Sequence, residues 1–118
     1  DKSYVKHLEK IIHPLVRREM YKFLKKNKKK TFVFLEIPLL IESKLMKNFD
    51  LIFFIKAKKI IRLKRFILKG GNKKMFHILN NKQLSDTKKI KYCDHIIVNE
   101  NNLKILKKNL LDILKQYE

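Results

Sequence analysis

The sequence predicts an α/β fold with a parallel β-sheet that is covered by helices on both faces. Three short apolar runs, at residues 31–36, 51–55 and 95–99, have the length of strands, and segments of helical periodicity separate them. The first two runs are continuously apolar instead of alternating, which is typical of strands buried on both faces. The connections between them are long, as parallel pairing requires.

Two helices joined at a proline are predicted for residues 1–26. Apolar residues recur at helical spacing over 3–12, and Ser3 is a suitable cap for the amino terminus of this helix. Pro14 should end it, since proline has no N–H to donate, and should open a second helix that runs to about Lys26. The lysine-rich residues that follow form the turn into the first strand.

After the second strand, helical periodicity returns in four segments. Gly70 and Gly71, the only glycines of the chain, should end the first of them, because glycine readily adopts the left-handed backbone found after a helix. Ser85 is a suitable cap for the third segment. No repeat or Pro/Gly-rich linker divides the chain, so we expect one structural unit. The four segments are 58–69, 73–81, 85–92 and 102–117.

The formal net charge of +19 suggests a nucleic-acid-binding protein, but the make-up of this charge favours another interpretation. Lysine, asparagine and isoleucine are abundant together, and A/T-rich codons encode all three. The lysine runs at 25–30 and 56–59 contain no aromatic residues on which bases could stack. We therefore expect a solvated lysine surface, with a stand-alone lysine-rich nucleic-acid-binding module as the alternative.

Several other classes of protein are disfavoured. No apolar run is long enough for a membrane span, and the charged first residues do not resemble a secretory signal. Cys93, the single cysteine, cannot form an internal disulfide and suits a cytoplasmic location. The histidines have no metal-ligand spacing with one another or with Cys93, so we expect no zinc site. They are His7, His13, His77 and His95.

Arginines are scarce in this lysine-rich chain and therefore informative. Arg62 and Arg65 lie three residues apart on a predicted helix that follows a strand, so their side chains share one face. Two planar guanidinium groups so arranged suit phosphate oxygens, although a surface pair without a ligand explains the residues equally well. A glycine-rich phosphate-binding motif is absent, because the chain has two adjacent glycines only.

The stretch EIPLLIES, residues 36–43, combines two carboxylates with a proline and three apolar residues. Glu36 is expected at the carboxyl end of a strand, where parallel sheets form ligand crevices, and Pro38 should end that strand. Residues 39–41 could line an apolar wall for a ligand or could pack into the core. The sequence leaves both interpretations open.

Four segments, in this order and at these separations, resemble the carboxyl-terminal portion of dephospho-CoA kinase. They are LEKIIHPLVRREM (8–20), EIPLLIE (36–42), LKRFILKGG (63–71) and YCDHIIVNE (92–100), and the resemblance covers nearly all of the chain. It implies a P-loop kinase fold of the nucleoside-monophosphate-kinase type, here a fragment that includes the lid.

The implied subdivision has four parts within one unit. A helical substrate-side region would span 1–30, core strands 31–56, the lid 57–83, and a core strand with the closing helix 84–118.

The resemblance implies transfer of the γ-phosphoryl group of ATP to the 3′-hydroxyl of dephospho-CoA, the last step of coenzyme A biosynthesis. The partners would be these two small molecules and Mg²⁺, with no specific nucleic acid and no membrane. In this family the glycine-rich P-loop and a catalytic aspartate precede the matching segments and hold most of the ATP and Mg²⁺. We therefore expect residues 1–118 to be inactive on their own.

Roles for individual residues also follow from the resemblance. Arg65 is the expected catalytic residue, which stabilises charge on the transferring phosphoryl group. Lys69 stands where relatives carry a second lid arginine, and Lys56 where they carry an aspartate. The implied nucleotide-binding residues are Arg62, Lys69 and Asn99. The implied substrate-binding residues are His13, Pro14, Leu15, Pro38, Leu39, Leu40 and Glu42.

Overall fold

The computed structural model of the chain describes residues 2–118, except for the side chains of Lys2 and Val5. These residues form two compact units, which divide between Ile37 and Pro38. The first unit is built around one long helix, and the second contains a small sheet and four α-helices. Among residues 2–118, no helix combines the length and the apolar character that a membrane span needs. The subdivision at residues 30, 56 and 83 stays a prediction.

One continuous helix, α1, runs through the first unit from Lys2 to Lys26 and has Pro14 inside it. The predicted division into two helices is therefore wrong, and Ser3 lies within the helix instead of capping it. Proline removes one backbone hydrogen bond, and the remaining bonds of this 25-residue helix continue on either side of it. The carboxyl terminus carries Lys25 and Lys26, whose charges favour that end of the helix dipole.

Residues 32–37 follow a turn and form no strand. The predicted strand at 31–36 is therefore wrong, and so is the expectation that Glu36 ends a buried strand; Glu36 is exposed in irregular backbone. Strand formation needs a neighbour that accepts and donates backbone hydrogen bonds, and the sheet within the described residues contains two other strands only. An apolar, β-branched sequence gives the propensity for a strand but does not provide that neighbour.

The sheet of the second unit consists of β1 (Phe53–Lys56) and β2 (His95–Val98), paired in parallel with Phe53 opposite His95. This confirms the predicted parallel pairing and the long crossover between the strands. β1 begins two residues later than predicted. The N–H of Ile52 donates instead to the Asp94 carboxylate at 2.7 Å, and the N–H of Asp94 donates to the Ile52 carbonyl at 2.8 Å.

Helices contact the sheet on both faces, because successive strand residues point to opposite sides. Lys89, from a helix of the crossover, lies over the ring of Phe54 on one face. Tyr117, at the end of the chain, contacts the ring of His95 on the other face. The strands are nevertheless less buried than predicted: Ile97 is 2% exposed, whereas Ile55 is 48% exposed. With two strands and short helices against it, the described sheet leaves part of each strand open.

The crossover contains α2 (Lys59–Leu68), α3 (Lys73–Asn81) and α4 (Asp86–Ile90), and α5 (Leu103–Leu114) follows β2. All four were predicted, with α4 shorter than expected. Asn72 and Asn102 cap α3 and α5 by accepting from backbone N–H groups at 2.8 and 3.0 Å. Ser85 occupies the cap position of α4 but makes no side-chain capping bond.

The two glycines end α2 as predicted. Gly70 has a φ of +97°, and its N–H donates to Ile67, while the N–H of Gly71 donates to Phe66 at 3.0 Å. This pair of bonds is the Schellman arrangement, which satisfies the last carbonyls of a helix. A Cβ at Gly71 would collide with the ring of Phe66. Both positions therefore require glycine, one for its backbone angle and the other for space.

Candidate functional site

The candidate site of the second unit lies where β1 and β2 end, because parallel sheets form their ligand crevices at the carboxyl ends of strands. Lys56 is the last residue of β1, and Asn99 comes directly after β2. The N–H of Asn99 donates to the Lys56 carbonyl at 2.7 Å, which extends the strand pairing by one bond. Two predicted positions, one at the end of each strand, are thus adjacent.

Arg65 reaches this edge from α2. Its Nη1 donates to the carbonyl oxygen of Asn99 at 2.6 Å, and its Nη2 lies 3.4 Å from the carbonyl oxygen of Asn101. The structure therefore brings together the predicted catalytic arginine and a predicted nucleotide-binding residue that is distant in sequence. The two acceptors are carbonyl oxygens without formal charge, so the positive charge of Arg65 stays available to an anion.

Glu100, which is not among the predicted site residues, connects the same loop to the start of α2. Its Oε2 accepts from the N–H of Lys58, the cap residue of α2, at 3.1 Å. A carboxylate at this position is favoured by the dipole of the helix and satisfies one of its free N–H groups. An acid directly after a strand is the sequence signal that could have identified it. Residues 99–101 are consequently fixed to α2 at two points.

Arg62 is held by protein groups over most of its guanidinium. Its Nε donates to the carbonyl oxygen of Ala57 at 3.1 Å, and its Nη1 donates to Oδ1 of Asn80 at 2.9 Å. The guanidinium carbon also lies 5.9 Å from the centre of the Phe76 ring. In this arrangement Arg62 fastens α3 to the start of α2, and its contact with a nucleotide stays a prediction.

Lys69 follows the last residue of α2 and is exposed. It lies four residues after Arg65 and seven after Arg62, so the three basic side chains share one face of the helix. The structure thereby supports the geometric part of the sequence argument, namely a basic stripe on one side of α2. Its phosphate ligands stay a prediction.

Residues 38–45, which we name the acceptor loop after the role that the resemblance predicts for them, are a succession of turns. Leu39 has a φ of +57°, in the left-handed region that costs a non-glycine residue roughly 1 kcal/mol. The Leu39 carbonyl accepts from the N–H of Ser43 at 2.8 Å, and that of Leu40 accepts from Leu45 at 3.2 Å. Ile41 is buried, so one of the three apolar residues packs into the core, whereas Pro38 is exposed.

Glu42 points its carboxylate at the connector, as we name residues 82–85 between α3 and α4. Its Oε2 accepts from the N–H of Leu84 at 3.3 Å and lies 3.7 Å from Nζ of Lys89. The side chains of Glu42 and Lys89 are 14% and 12% exposed. Lys89 is not among the predicted site residues, because in a chain so rich in lysine its residue type carries no signal.

His13, Pro14 and Leu15 lie in the first unit, on consecutive positions of α1, and all three are exposed. Consecutive helix residues point in different directions, about 100° apart. Their assignment to the dephospho-CoA site stays a prediction that rests on the resemblance.

Cys93 lies at the end of the crossover, beside the residues that flank β2. Burial raises the pKa of its thiol, the nearby Asp94 carboxylate raises it further, and the charge of Lys89 lowers it. The Cys93 Sγ lies 3.2 Å from the carbonyl oxygen of Lys89 and donates to it. A thiol kept protonated in this way is a poor nucleophile. Within the described residues, no group of three or more His, Cys, Asp or Glu side chains could hold a metal ion.

Comparisons with known proteins agree with the resemblance in the sequence. The family model for dephospho-CoA kinase (CoaE) matches residues 1–104. A curated protein from Bartonella henselae named dephospho-CoA kinase is 33% identical over 118 residues, which is 98% of this chain and 60% of that protein. Relatives with the same name are 37% identical in Bartonella quintana, over 82% of this chain, and 31% identical in Rickettsia conorii, over 94%. The chain spans 51% and 59% of the length of these two.

Proposed function

Because the chain belongs to the dephospho-CoA kinase family, we propose that it forms the acceptor-side and lid part of an enzyme that phosphorylates dephospho-CoA. The enzyme transfers the γ-phosphoryl group of ATP to the 3′-hydroxyl, the last step of coenzyme A biosynthesis, in the cytoplasm. The α/β architecture with a parallel strand pair is consistent with the P-loop kinase fold of this family. One observation carries the proposal: Arg65 reaches the loop that begins with Asn99, at the carboxyl ends of the strands.

Arg65 stabilises the charge of the transferring phosphoryl group in this proposal. A guanidinium can donate two parallel hydrogen bonds to phosphate oxygens, and its bonds to neutral carbonyls leave its charge uncompensated. Arg62 and Lys69, on the same helix face, contribute to nucleotide binding. Asn99 lies beside the base of the nucleotide.

The residues proposed for dephospho-CoA binding form two groups, one in each unit, and each group is proposed by itself. His13, Pro14 and Leu15 contribute from α1, and Pro38, Leu39 and Leu40 contribute from the acceptor loop. Dephospho-CoA has an apolar pantetheine arm and a polar nucleotide, so apolar side chains next to polar groups suit it. Glu42 belongs to the same loop.

Mg-ATP is the second substrate, and residues 1–118 contain no glycine-rich loop to bind its phosphates, since Gly70 and Gly71 already end α2. We therefore expect the 118 residues alone to be inactive. Activity requires a P-loop and a catalytic base in addition to the groups described.

The direct test incubates the protein, in a form that includes a P-loop, with Mg-ATP and dephospho-CoA. We expect ADP to appear only when dephospho-CoA is present, and mass spectrometry should show one added phosphoryl group on the acceptor. The matched control is the 3′-deoxy analogue of dephospho-CoA, which lacks the accepting oxygen and should give no ADP above background. ADP release at the same rate with both acceptors, or no product with either, would refute the proposal.

The lysine-rich surface supports one alternative, a nucleic-acid-binding module. Lys28, Lys29 and Lys30 are consecutive and exposed, as are Lys107 and Lys108 on α5. Titration of the 118-residue chain with a random oligonucleotide separates the two functions. Tight binding that persists at physiological salt would favour the alternative, whereas binding that disappears at moderate salt reflects only the excess of lysine.

A further inference from the structure

Lys89 differs from the other lysines of this chain in its surroundings. Of the lysines whose side chains the structure describes, Lys56 and Lys89 are the two that are not exposed. Removing an ammonium group from water is costly unless other groups compensate it, so its partners indicate what this lysine does. The Lys89 side chain is 12% exposed.

The partners of Lys89 come from three separate elements. Its Nζ lies 3.7 Å from the Glu42 carboxylate in the acceptor loop and donates to Oε1 of Gln83 in the connector at 2.8 Å. It also lies 5.7 Å from the centre of the Phe54 ring in β1. One side chain thus joins the loop, the connector and the sheet.

Glu42, in the acceptor loop, contacts both Lys89 in α4 and the connector. Besides Lys89, its Oε2 accepts from the backbone N–H of Leu84, which is the first residue after the predicted lid. Because the side chain of Glu42 is only 14% exposed, this carboxylate is directed into the protein. A bond to the backbone N–H of Leu84 fixes the backbone of the connector, whatever the rotamers of the connector's own side chains.

We propose that Glu42 and Lys89 are positioning residues that form a latch between the acceptor loop and the connector, so that dephospho-CoA bound on the loop also restrains the end of the lid. This inference rests on the proposed function, because it takes the acceptor loop as part of the dephospho-CoA site. Glu42 then acts on the substrate through the loop. An acceptor that favours the arrangement with the latch intact stabilises the connector by the same free energy, since coupling between two sites is reciprocal.

Hydrogen exchange tests the latch without requiring phosphoryl transfer. Dephospho-CoA is added to the P-loop-containing protein without ATP, and mass spectrometry follows peptides that cover residues 38–45 and 82–92. In the unsubstituted protein we expect slower exchange in both peptides. In Glu42→Gln, which keeps the shape of the side chain and removes its charge, the acceptor should still protect the loop. The protection of the connector should fall about tenfold, within the usual size of coupling between sites.

Lys89→Met is the second variant, and Lys88→Met is its matched control, because Lys88 is the adjacent residue of α4 and is exposed. Lys89→Met should lose the protection of the connector and Lys88→Met should keep it. Exchanging the two charges, with Glu42→Lys and Lys89→Glu together, should restore part of it. Rescue by this exchange would show that the two charges act on each other, because neither substitution alone restores an opposite pair.

The outcomes separate the latch from the proposed function. If the acceptor protects the loop and the connector equally in all variants, the latch is wrong and the acceptor site stands. If it protects neither peptide of the unsubstituted protein, the acceptor site is wrong and the latch falls with it. If it protects both in the expected pattern while the protein transfers no phosphoryl group, the latch stands and the enzymatic function does not.

Discussion

The crossover from β1 to β2 is bound to the rest of the second unit at two places. The polar interactions at these two places differ in chemistry. At its entry, an arginine and a carboxylate bind backbone groups: Arg65 binds carbonyl oxygens after β2, and Glu100 binds the N–H of Lys58. At its exit, Glu42 and Lys89 bind each other with both side chains largely out of water. A charged side chain bound to neutral partners can still attract a ligand of opposite charge, whereas two opposite charges in contact largely neutralise each other. This difference supports the catalytic role proposed for Arg65 at the entry and the latch proposed at the exit.

The largest effect should follow from the entry, with Arg65→Ala. If Arg65 stabilises the transferring phosphoryl group, kcat for dephospho-CoA phosphorylation falls by roughly 10³-fold or more, since arginines in this role contribute on that scale. Arg65→Lys keeps the positive charge but cannot donate two parallel hydrogen bonds to a phosphoryl group. Its kcat should therefore lie between those of Arg65→Ala and the unsubstituted protein. Steady-state kinetics of the P-loop-containing protein measure this effect.

Lys64→Ala is the matched control for Arg65→Ala, because Lys64 is the preceding residue of α2 and is exposed. It should keep nearly full activity. Turnover of Arg65→Ala close to that of the unsubstituted protein would mean that the entry is a structural fastening like the exit, and the contrast between them would disappear.

Arg62 and Arg65 at the entry stood out in the sequence, whereas Glu100 at the entry and Lys89 at the exit did not. Two arginines three residues apart stand out in a lysine-rich chain, and Gly70 ends α2 through local backbone geometry alone. Lys89 gives no such signal, since only burial separates it from the other lysines, and burial depends on what the rest of the chain places around it. Contacts between residues 42 positions apart, such as Glu42 with Leu84, are likewise invisible in local patterns.

The difference between local and long-range signals also explains why a strand was wrongly predicted for residues 31–36. Helices satisfy their hydrogen bonds within one segment, so periodicity and caps predict α2, α3 and α5 well. A strand needs a neighbour, and β1 and β2 have each other. Apolar residues alone could not reveal that the segment 31–36 pairs with neither of them.

The second-largest effect should be a loss of stability when the ion pair at the exit is broken. Glu42→Gln leaves the ammonium of Lys89 mostly desolvated without its counter-charge, although Gln83 still accepts a hydrogen bond from it. We expect a loss of about 2 kcal/mol in the free energy of unfolding, below the range for fully buried pairs because the contact is long. Urea unfolding followed by circular dichroism measures it. A loss under about 0.5 kcal/mol would place the pair with ordinary surface ion pairs.

A smaller loss of stability should follow from Arg62→Lys. Lysine can replace one of the two hydrogen bonds of Arg62, to Ala57 or to Asn80, but not both, and it weakens the contact with the Phe76 ring. We expect about 1 kcal/mol. A double-mutant cycle with Asn80→Ala isolates the bond between the two side chains. If the cycle shows no coupling energy, Arg62 does not fasten α3, and its guanidinium is free for the predicted nucleotide.

The smallest effect on stability should come from Cys93, whose thiol pKa responds to the charge of Lys89 at the exit. Burial and Asp94 raise the pKa of this thiol and Lys89 lowers it, so the folded state retains the proton more strongly than the unfolded chain does. The corresponding stability is fully present below the ordinary thiol pKa of 9.0 and is lost as the pH rises above it. Unfolding midpoints above that pH should therefore decline more steeply for the unsubstituted protein than for Cys93→Ala.

The rate at which iodoacetamide alkylates Cys93, measured as a function of pH, also reports on the charge of Lys89. Lys89→Met removes the cation that lowers the pKa of Cys93, so the rise in alkylation rate should move to higher pH than in the unsubstituted protein. Lys88→Met should leave it in place, since the charge of Lys88 is not among those that shift this thiol. A shift of equal size in both variants would mean that the general positive charge of the chain acts on Cys93. A shift in Lys89→Met alone would identify a specific cation, held at the exit by its partners.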